Sequence, residues 1–364
     1  MEKFSWKEDK KLNEQSFSFL KKLVDAPSPS GFEQPIQRVV REELEKFADE
    51  VKTDVHGNVI GVKNPGGSPR VMLSSHCDEI GFMVKYIDES GFIYFSPIGG
   101  IDAHIVPSQR VKIHTRRGSI LGVVGKKPIH VMEKEERKKV VELSHQWIDI
   151  GVNSKKEAEK IVEIGDSITF APGLEKLQGN LVVSRGFDNK MGVLVVCEVL
   201  RALSNQTIDA SVFATSTVQE EIGLRGAQTA AYSINPQIGI AIDVDVATDF
   251  PEINKKKEGD IRINKGVVIC KGPNINPKVE EMLIQIAKEE KIPYQLAGES
   301  RATPTDANVI QISRAGVATG LVSVPLRYLH TPVEVLSLND IESAVKLLVS
   351  FVNQVKKETS FIPE

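Results

Sequence analysis

Five predicted strands each end in a residue, or a pair of residues, that could bind a metal ion. In each case an apolar stretch gives way to polar residues at the point where the strand ends. Charged side chains in such places are costly to remove from water unless they are paired or bind a cation. The repetition of the pattern therefore indicates a metal site. The residues concerned are His76 with Asp78, Asp188, Glu220 with Glu221, Asp243 and His330.

Each of these residues has an ordinary structural explanation when it is taken alone. His76 could be a core histidine that is hydrogen-bonded to Asp78, because buried His-Asp pairs are common. Asp188 could cap the helix that is predicted to begin beside it. Asp243 could be a turn residue, and His330 could cap or pack. For every single cluster the sequence leaves these alternatives open.

The adjacent Glu220 and Glu221 are harder to explain structurally. Consecutive strand residues face opposite ways, so one carboxylate would normally point into the apolar core, whereas at a strand terminus both can bend into one cleft. Two histidines with several carboxylates suit Zn²⁺ or Co²⁺ and are poorly suited to an all-oxygen Ca²⁺ site. Such a set can hold two ions ~3.5–4 Å apart, bridged by one carboxylate, and leaves one glutamate as a general base for hydrolysis.

The elements that must position these residues form an α/β fold interrupted by a β-rich insertion. After Pro172 strands alternate with helices, which predicts a mixed sheet with helices on both faces and a site at the carboxyl ends of its strands. From about residue 80 to 170, short β-like runs separated by glycine, proline and serine predict a small β-barrel or sandwich. We therefore expect a catalytic domain formed by residues 1–79 and 172–364, with a β-rich domain inserted at 80–171.

Local patterns predict the individual elements. Alternation on both sides of His56-Gly57-Asn58 predicts a β-hairpin within residues 50–63. The charged run at 133–139 lacks an apolar face, which predicts a solvated loop or a short helix. Apolar residues at helical spacing predict helices over 14–25, 37–47, 189–203, 225–232 and 277–290.

Composition and charge exclude several other classes of protein. The 364 residues include 46 Lys and Arg against 49 Asp and Glu, and 41% hydrophobic residues is an ordinary share for a soluble globular protein. Without a basic excess, nucleic acid is not an expected partner. No apolar stretch reaches the ~20 residues that span a membrane. The polar N-terminus lacks a secretory signal, so we expect a cytoplasmic protein without a membrane partner.

Other catalytic arrangements find little support. Ser74 and Ser75 lie beside His76 but outside a Gly-x-Ser-x-Gly motif, and the sequence contains neither a phosphate-binding loop nor a dinucleotide fingerprint. Cys77, Cys197 and Cys270 are far apart and are expected to be free thiols. Covalent catalysis and nucleotide cofactors are therefore not expected.

Several distinctive motifs occur in order along nearly the whole chain. They are SPSG at 28–31, HCDEIG at 76–81, DNK at 188–190, QEEIG at 219–223, Asp243, TDA at 305–307 and RYLHTPVE at 327–334. In these motifs the chain resembles the tetrahedral-type (TET) dinuclear metallo-aminopeptidases, a family that includes deblocking and glutamyl aminopeptidases and some members labelled endoglucanases. The resemblance implies a phosphorylase/hydrolase-like catalytic domain that removes N-terminal residues from peptide substrates.

The resemblance also implies a role for each candidate residue. Glu220 takes the position of the general base, since a carboxylate that binds no metal can accept a proton from water. Asp78 takes the position of a carboxylate that orients His76. One divalent ion, Zn²⁺ or Co²⁺, is assigned to His76, Asp188 and Asp243, and a second to Asp188, Glu221 and His330, with Asp188 bridging.

In this family the β-rich insertion is a dimerisation domain, and the dimers assemble into a hollow tetrahedral dodecamer. A homodimer that builds a dodecamer is therefore the expected assembly of this chain, as an implication of the resemblance. The exposed edges of short strands in the insertion are consistent with such a role.

Two features depart from the pattern of the family. Cys77 lies where an apolar residue such as methionine is expected, and we expect its thiol to pack without binding metal. Residues 298–304, which include Arg301, replace an expected glycine-rich stretch. A guanidinium here could pair with an acidic N-terminal side chain of the substrate, or it could be a solvated or intersubunit residue. The preferred N-terminal residue therefore stays open.

Two other functions remain as alternatives to the aminopeptidase. One is a metal-independent glycosidase of the endoglucanase type, for which two carboxylates are the minimum apparatus. The two Trp and five Tyr of the chain are few for stacking against a polysaccharide, which disfavours it. The other is a catalytically silent binding homologue, although all the presumed ligand and base positions carry chemically competent residues.

Overall fold

The computed structural model describes residues 13–363. The expectation of a cytoplasmic protein rests on the polar N-terminus. Most of that segment, residues 1–12, lies outside the described residues. Within the described residues no helix combines the length and the apolar character needed to cross a bilayer.

A mixed eight-stranded sheet forms the centre of the larger part of the chain. Four neighbouring strands in the middle of this sheet are parallel, so their carboxyl ends meet at one edge. In spatial order they are β12 (Ser211–Thr217), β3 (Arg70–His76), β13 (Ile238–Val246) and β16 (Ala318–Leu326).

Two strands flank this parallel group on each side. Next to β12 lie β2 (Val59–Lys63) and then β1 (Glu50–Thr53), each antiparallel to its neighbour, which confirms the predicted hairpin. On the other side β14 (Val267–Lys271) is antiparallel to β16 and parallel to the edge strand β15 (Tyr294–Gly298).

Helices cover both faces of the sheet, as the sequence predicts. Along β3, Val71 and Leu73 pack toward one face and Met72 toward the other, as alternation along a strand requires. The first face carries α1 (Glu14–Asp25), α2 (Gln34–Leu44), α4 (Phe187–Leu203), α7 (Pro277–Glu289) and α9 (Leu338–Gln354). The second face carries α5 (Arg225–Ile234) and α8 (Asp306–Ile310).

The predicted bounds of α2 were wrong by a few residues at both ends. The helix begins at Gln34 and ends at Leu44, whereas the pattern predicted 37–47. Pro35 lies in its first turn, where the missing N–H costs no intrahelical hydrogen bond. The other predicted helices agree with the structure to within about two residues at each end.

A closed six-stranded barrel follows β3 along the chain. Its apolar core, which includes Phe82 and Ile113, is separate from the core of the sheet. The strands are β4 (Gly81–Ile87), β5 (Ile93–Ile98), β6 (Arg110–Thr115), β7 (Gly118–Gly125), β8 (Trp147–Asp149) and β9 (Ser167–Phe170), with the short helix α3 (Lys155–Ala158) before β9. The barrel confirms the predicted fold class, while the domain boundaries at 79/80 and 171/172 stay predictions.

Two smaller features belong neither to the central sheet nor to the strands of the barrel. The charged run at 133–139 is largely exposed and contains a single short 3-10 helix, Glu136–Lys138, as predicted. A three-stranded antiparallel sheet, in which Ser184 lies opposite Glu334, adjoins the start of α4. It consists of β10 (Glu175–Lys176), β11 (Leu181–Ser184) and β17 (Glu334–Ser337).

Candidate metal centre

The parallel strands bring four of the predicted site residues to one edge of the sheet. His76 is the last residue of β3, and Asp243 lies near the end of β13. Glu220 and Glu221 follow β12 after a short turn. Because the three strands are parallel neighbours, all four side chains meet at their common carboxyl edge.

Asp188 reaches this edge from the first turn of α4. Its backbone (φ −76°, ψ 103°) is not helical, and neither is that of Asn189. The side-chain amide of Asn189 donates hydrogen bonds to the Ile242 carbonyl oxygen (2.8 Å) and to Asp243 Oδ1 (3.1 Å). These bonds fasten the start of α4 to β13, so Asp188 and Asp243 are held in one site.

His330 lies in the loop between β16 and β17, and Glu334 fixes its position. The backbone N–H of His330 donates to Glu334 Oε1 (3.1 Å), and the backbone N–H of Asp188 donates to Oε2 of the same residue (3.2 Å). One buried carboxylate thus ties the backbones of two predicted ligands together. The sequence analysis did not predict this role of Glu334. The feature that could have indicated it is a charged residue at the start of a largely apolar strand.

Two overlapping groups of side chains could each hold a metal ion. One consists of His76, Asp188 and Asp243, the other of Asp188, Glu221 and His330, and within each group the ligand atoms lie within 4.8 Å of one another. Asp188 belongs to both, since its Oδ1 lies 3.2 Å from His76 Nε2 and its Oδ2 lies 3.2 Å from His330 Nε2. The structure therefore brings together all five residues that were predicted as ligands.

Backbone carbonyl groups orient both histidine rings. Nδ1 of His76 lies 3.1 Å from the Asp78 carbonyl oxygen, and Nδ1 of His330 lies 2.8 Å from the Gly100 carbonyl oxygen. A carbonyl oxygen only accepts hydrogen bonds, so each Nδ1 carries a hydrogen and Nε2 of the neutral ring keeps a lone pair. Gly100 follows β5 of the barrel, so the insertion orients one of the candidate ligands.

The surroundings of the two Nε2 atoms fit a bound cation. An Nε2 lone pair and a carboxylate oxygen 3.2 Å away repel each other unless a proton or a metal ion lies between them. Glu221 Oε1 is buried and accepts no hydrogen bond of good geometry from any described residue. Imidazole nitrogens combined with carboxylate oxygens are a donor set of Zn²⁺ and related divalent ions. The residues present therefore fit such ions.

The electrostatics of the site favour the same interpretation. Burial raises the pKa of Glu220 to about 10, and the carboxylates of Asp243 and Asp188 add to this effect. Burial together with Asp188 also raises the pKa of Asp243. Burial lowers the pKa of His330, but its interactions with Asp188 and Glu221 outweigh this and raise it to about 11. Bound cations would relieve the repulsion among these buried carboxylates.

Asp78 holds the two adjacent glutamates in place. Its Oδ1 accepts the backbone N–H of Glu220 (3.0 Å), and its Oδ2 accepts the backbone N–H of Glu221 (3.1 Å) and the hydroxyl of Ser30 (2.6 Å). The same Oδ1 lies 3.5 Å from His76 Nδ1, farther than the Asp78 carbonyl oxygen. The Asp78 carboxylate therefore acts mainly on the backbone of the glutamate pair and less on the His76 ring. The sequence did not indicate this contact with the glutamates.

Glu33 also binds the turn that carries the glutamate pair, and the sequence analysis did not predict this role. Its Oε1 accepts the backbone N–H of Gln219 (3.2 Å) and that of Gly31 (2.7 Å). Burial raises its pKa to about 7, and the nearby Asp78 carboxylate contributes to this shift. The SPSG segment at 28–31 is thereby connected to the turn that carries the glutamate pair.

A buried cluster of charges lies at the start of α4. Lys190 Nζ lies 2.7 Å from Glu79 Oε1, and Arg185 forms an ion pair with the other oxygen of Glu79. Burial alone would raise the pKa of Glu79, but the two cations lower it to about 2. Glu79 Oε1 also accepts the backbone N–H of Ser28 (3.0 Å), so this cluster anchors the SPSG segment to α4.

Cys77 packs in the core of the sheet and belongs to neither ligand group. Its side chain is fully buried among the apolar residues on the α4 side, while the neighbouring His76 joins the metal-type ligands. Burial, reinforced by the Asp78 carboxylate, raises the pKa of the thiol well above its usual range. A protonated, buried thiol is a poor metal ligand, in keeping with the expected packing role.

A cavity of about 520 Å³ opens beside the two ligand groups. Its lining includes Glu220, the five candidate ligands, and the two further acidic residues Asp245 and Glu299. Arg301 is exposed and does not contribute to the lining. The structure therefore gives no support to a pocket in which Arg301 binds an acidic side chain.

The amino-acid sequence is similar to those of known aminopeptidases. A family model described as "M42 glutamyl aminopeptidase" matches residues 57–347. A putative aminopeptidase of Acetivibrio thermocellus is 41% identical over 344 residues, which cover 93% of this chain and 99% of that protein. A lysyl aminopeptidase of Pyrococcus furiosus is 36% identical over 343 residues, which cover 93% of this chain and 97% of that protein.

Solved structures of similar proteins share the fold. A TET aminopeptidase from the marine sediment archaeon Thaumarchaeota archaeon SCGC AB-539-E09 matches with a TM-score of 0.91 and 34% identity, covering 94% of this chain and 97% of that one. The TET1 peptidase of Pyrococcus horikoshii, described as able to assemble into a tetrahedron or a large octahedral shell, matches with a TM-score of 0.84 and 32% identity. That match covers 93% of this chain and 100% of the other.

Proposed function

The chain belongs to the M42 glutamyl aminopeptidase family of peptide hydrolases, and we propose that it removes N-terminal residues from peptides with two divalent metal ions. The resemblance recognised in the sequence motifs is thereby confirmed, and a glycosidase is disfavoured. The observation that carries the proposal is the position of Asp188, which presents one oxygen to each histidine at 3.2 Å.

We assign one ion to His76, Asp188 and Asp243 and the other to Asp188, Glu221 and His330, in accord with the two ligand groups. The mixture of imidazole and carboxylate donors favours Zn²⁺ or Co²⁺. When bound, two such ions would polarise the scissile carbonyl group and lower the pKa of the attacking water.

Glu220 is the proposed general base. It lies in the same cavity as the ligands but belongs to neither ligand group, and its Oε2 is 3.7 Å from His76 Nε2. Its backbone is held by Asp78, so its carboxylate is kept next to the site. A carboxylate so placed can accept a proton from the attacking water and pass it to the leaving amine.

Removing metal is expected to abolish activity, and restoring it to recover activity. We expect a chelator to stop the cleavage of aminoacyl chromogenic substrates, because the side chains of the site need the ions for water activation. Addition of Zn²⁺ or Co²⁺ after removal of the chelator should restore cleavage. Activity that survives exhaustive chelation, or that neither ion restores, would contradict the proposal.

The same reconstitution offers a readout that does not depend on catalysis. Without metal, the carboxylates around His330 raise its pKa to about 11, so the ring is protonated at neutral pH. A ligating imidazole must be neutral, so binding of Zn²⁺ is expected to release protons, and its affinity is expected to rise with pH. Titration of the metal-free protein with Zn²⁺ in buffers of different ionisation enthalpy measures this release.

We also propose that the chain forms a homodimer and, from it, a tetrahedral dodecamer through the barrel. Leu121 and Val123 lie two residues apart on β7, so both point outward from the barrel, and they are 58% and 48% exposed. Exposed apolar side chains grouped in this way are typical of interaction surfaces. The assembly described for the TET1 peptidase of Pyrococcus horikoshii supports the proposal.

Charge on this surface is expected to reduce the size of the assembly. The double variant Leu121→Glu and Val123→Glu should give smaller particles by light scattering, because burying two carboxylates at an interface is costly. Leu177→Glu, an equally apolar and exposed position outside the barrel strands, is the matched control. An unchanged particle mass in the double variant would argue against the barrel as the assembly surface.

The names of the related proteins do not fix the preferred N-terminal residue. The family model is described as glutamyl and the relative from Pyrococcus furiosus as lysyl. These side chains carry opposite charges, so the charge of the substrate cavity in this chain has to decide between them.

A further inference from the structure

Two carboxylates line the substrate cavity beyond the candidate metal ligands. Asp245 lies two residues after Asp243 on β13, so both side chains point to the same side of the sheet. Glu299 directly follows the last residue of β15. Both acidic residues border the cavity that contains the metal groups, and their charges both act on Cys270 in its wall.

Among the described residues, no cationic side chain pairs with either carboxylate. Neither Asp245 nor Glu299 forms an ion pair with any residue in the described range 13–363, and the one charged group that acts on Asp245 is Glu299. The cavity lining contains neither lysine nor arginine. Apart from the candidate ligands and Glu220, the charged residues of the lining are therefore acidic only.

Apolar residues also line this cavity. Ala297 of β15, Leu321 of β16 and Leu329 contribute to this lining, and Ala297 lies two residues before Glu299. Apolar walls combined with carboxylates suit a side chain with an aliphatic stem and a cationic head, since the stem packs while the head is paired. A short polar or an acidic side chain would use neither feature.

We propose that Asp245 and Glu299 select substrates whose N-terminal residue is lysine or arginine. The inference rests on the proposed function, which places the scissile bond at the metal groups and hence the first side chain in the adjoining space. An acidic first residue is disfavoured there, because its carboxylate would meet uncompensated negative charge. Arg301, outside the lining, has no part in this selection.

The test compares substrates that differ in one charge. Values of kcat/KM are measured for chromogenic substrates that begin with lysine, norleucine or glutamate, since norleucine keeps the aliphatic stem of lysine without its ammonium group. We expect lysine to be cleaved faster than norleucine, and glutamate to be cleaved most slowly. Cleavage of norleucine as fast as lysine, or fastest cleavage of glutamate, would overturn the proposal.

Variants assign the preference to the two residues. Asp245→Asn is expected to lower the ratio of kcat/KM for lysine to that for norleucine by roughly tenfold, mainly through KM, because a charge-assisted contact is lost. Glu299→Gln should lower the ratio less, since Glu299 is more exposed to solvent. Arg301→Ala and Glu175→Gln, both exposed, are controls and should leave the ratio unchanged. An unchanged ratio in Asp245→Asn would overturn the assignment.

Binding separates this inference from the proposed function. Calorimetry of the Zn²⁺-loaded protein with free lysine and free norleucine is expected to give tighter binding of lysine, and Asp245→Asn should remove the difference. Slow lysine cleavage with ready norleucine cleavage would overturn only the inference. Loss of all three cleavage reactions, with tighter binding of lysine retained, would overturn the proposed function and support the inference.

Discussion

Replacing Glu220 with glutamine is expected to lower kcat by ~10²–10⁴-fold, the usual cost of removing a general base, while both metal ions stay bound. Glutamine keeps the shape of the side chain but cannot accept the proton of the attacking water. The two ligand groups do not include Glu220, so metal content should be nearly unchanged. Steady-state kinetics with metal analysis of the same sample provide the measurement.

The neighbouring Glu221 offers a matched comparison for this variant. Glu221→Gln changes the same type of side chain one position away, but Glu221 belongs to the group with His330. We therefore expect the Glu221 variant to lose metal from that group, and the Glu220 variant to retain it. If Glu220→Gln lost metal as well, Glu220 would be a ligand and not the base.

Replacing Asp188 with alanine is expected to remove both metal ions. One of its carboxylate oxygens lies 3.2 Å from Nε2 of His76, and the other lies 3.2 Å from Nε2 of His330. Asp188 is the one residue that the two ligand groups share. Loss of this carboxylate also leaves the two histidines without the anion between them. Metal analysis of the purified variant after dialysis provides the measurement.

A single-group variant serves as the control for Asp188. Asp243→Ala removes a ligand from the group with His76 alone, so we expect it to weaken the binding of one ion and not of both. Circular dichroism of both variants checks that the sheet is intact. If Asp188→Ala retained two ions, Asp188 would not be a metal ligand, and its role would be structural, at the start of α4.

The strand pattern of the sequence was sufficient to predict that the candidate side chains lie close together. His76 and Asp243 end or nearly end apolar strands, and in a parallel arrangement such ends converge. The adjacent Glu220 and Glu221 were recognisable because consecutive carboxylates do not fit inside a strand. The proposed roles of the individual residues as ligands came from the family resemblance, since spacing alone did not assign any residue to a particular ion.

The supporting contacts could not be predicted because they join distant parts of the chain. The Gly100 carbonyl oxygen orients His330 across 230 positions of sequence, and the interaction uses a backbone atom that every residue has. Glu334 and Glu33 accept hydrogen bonds from backbone N–H groups. Nearly every residue type has such a donor, so the sequence does not indicate the partner. The sequence also did not show that the side chain of Arg301 lies outside the cavity.

The number of metal ions bound per chain tests the central claim most directly. Protein purified without chelator and loaded with Zn²⁺ is dialysed, and its metal is measured by plasma mass spectrometry against its concentration. Two ions per chain are predicted, because the two ligand groups share only Asp188 and each has a histidine of its own. One ion per chain, or none, would contradict a dinuclear centre at this site.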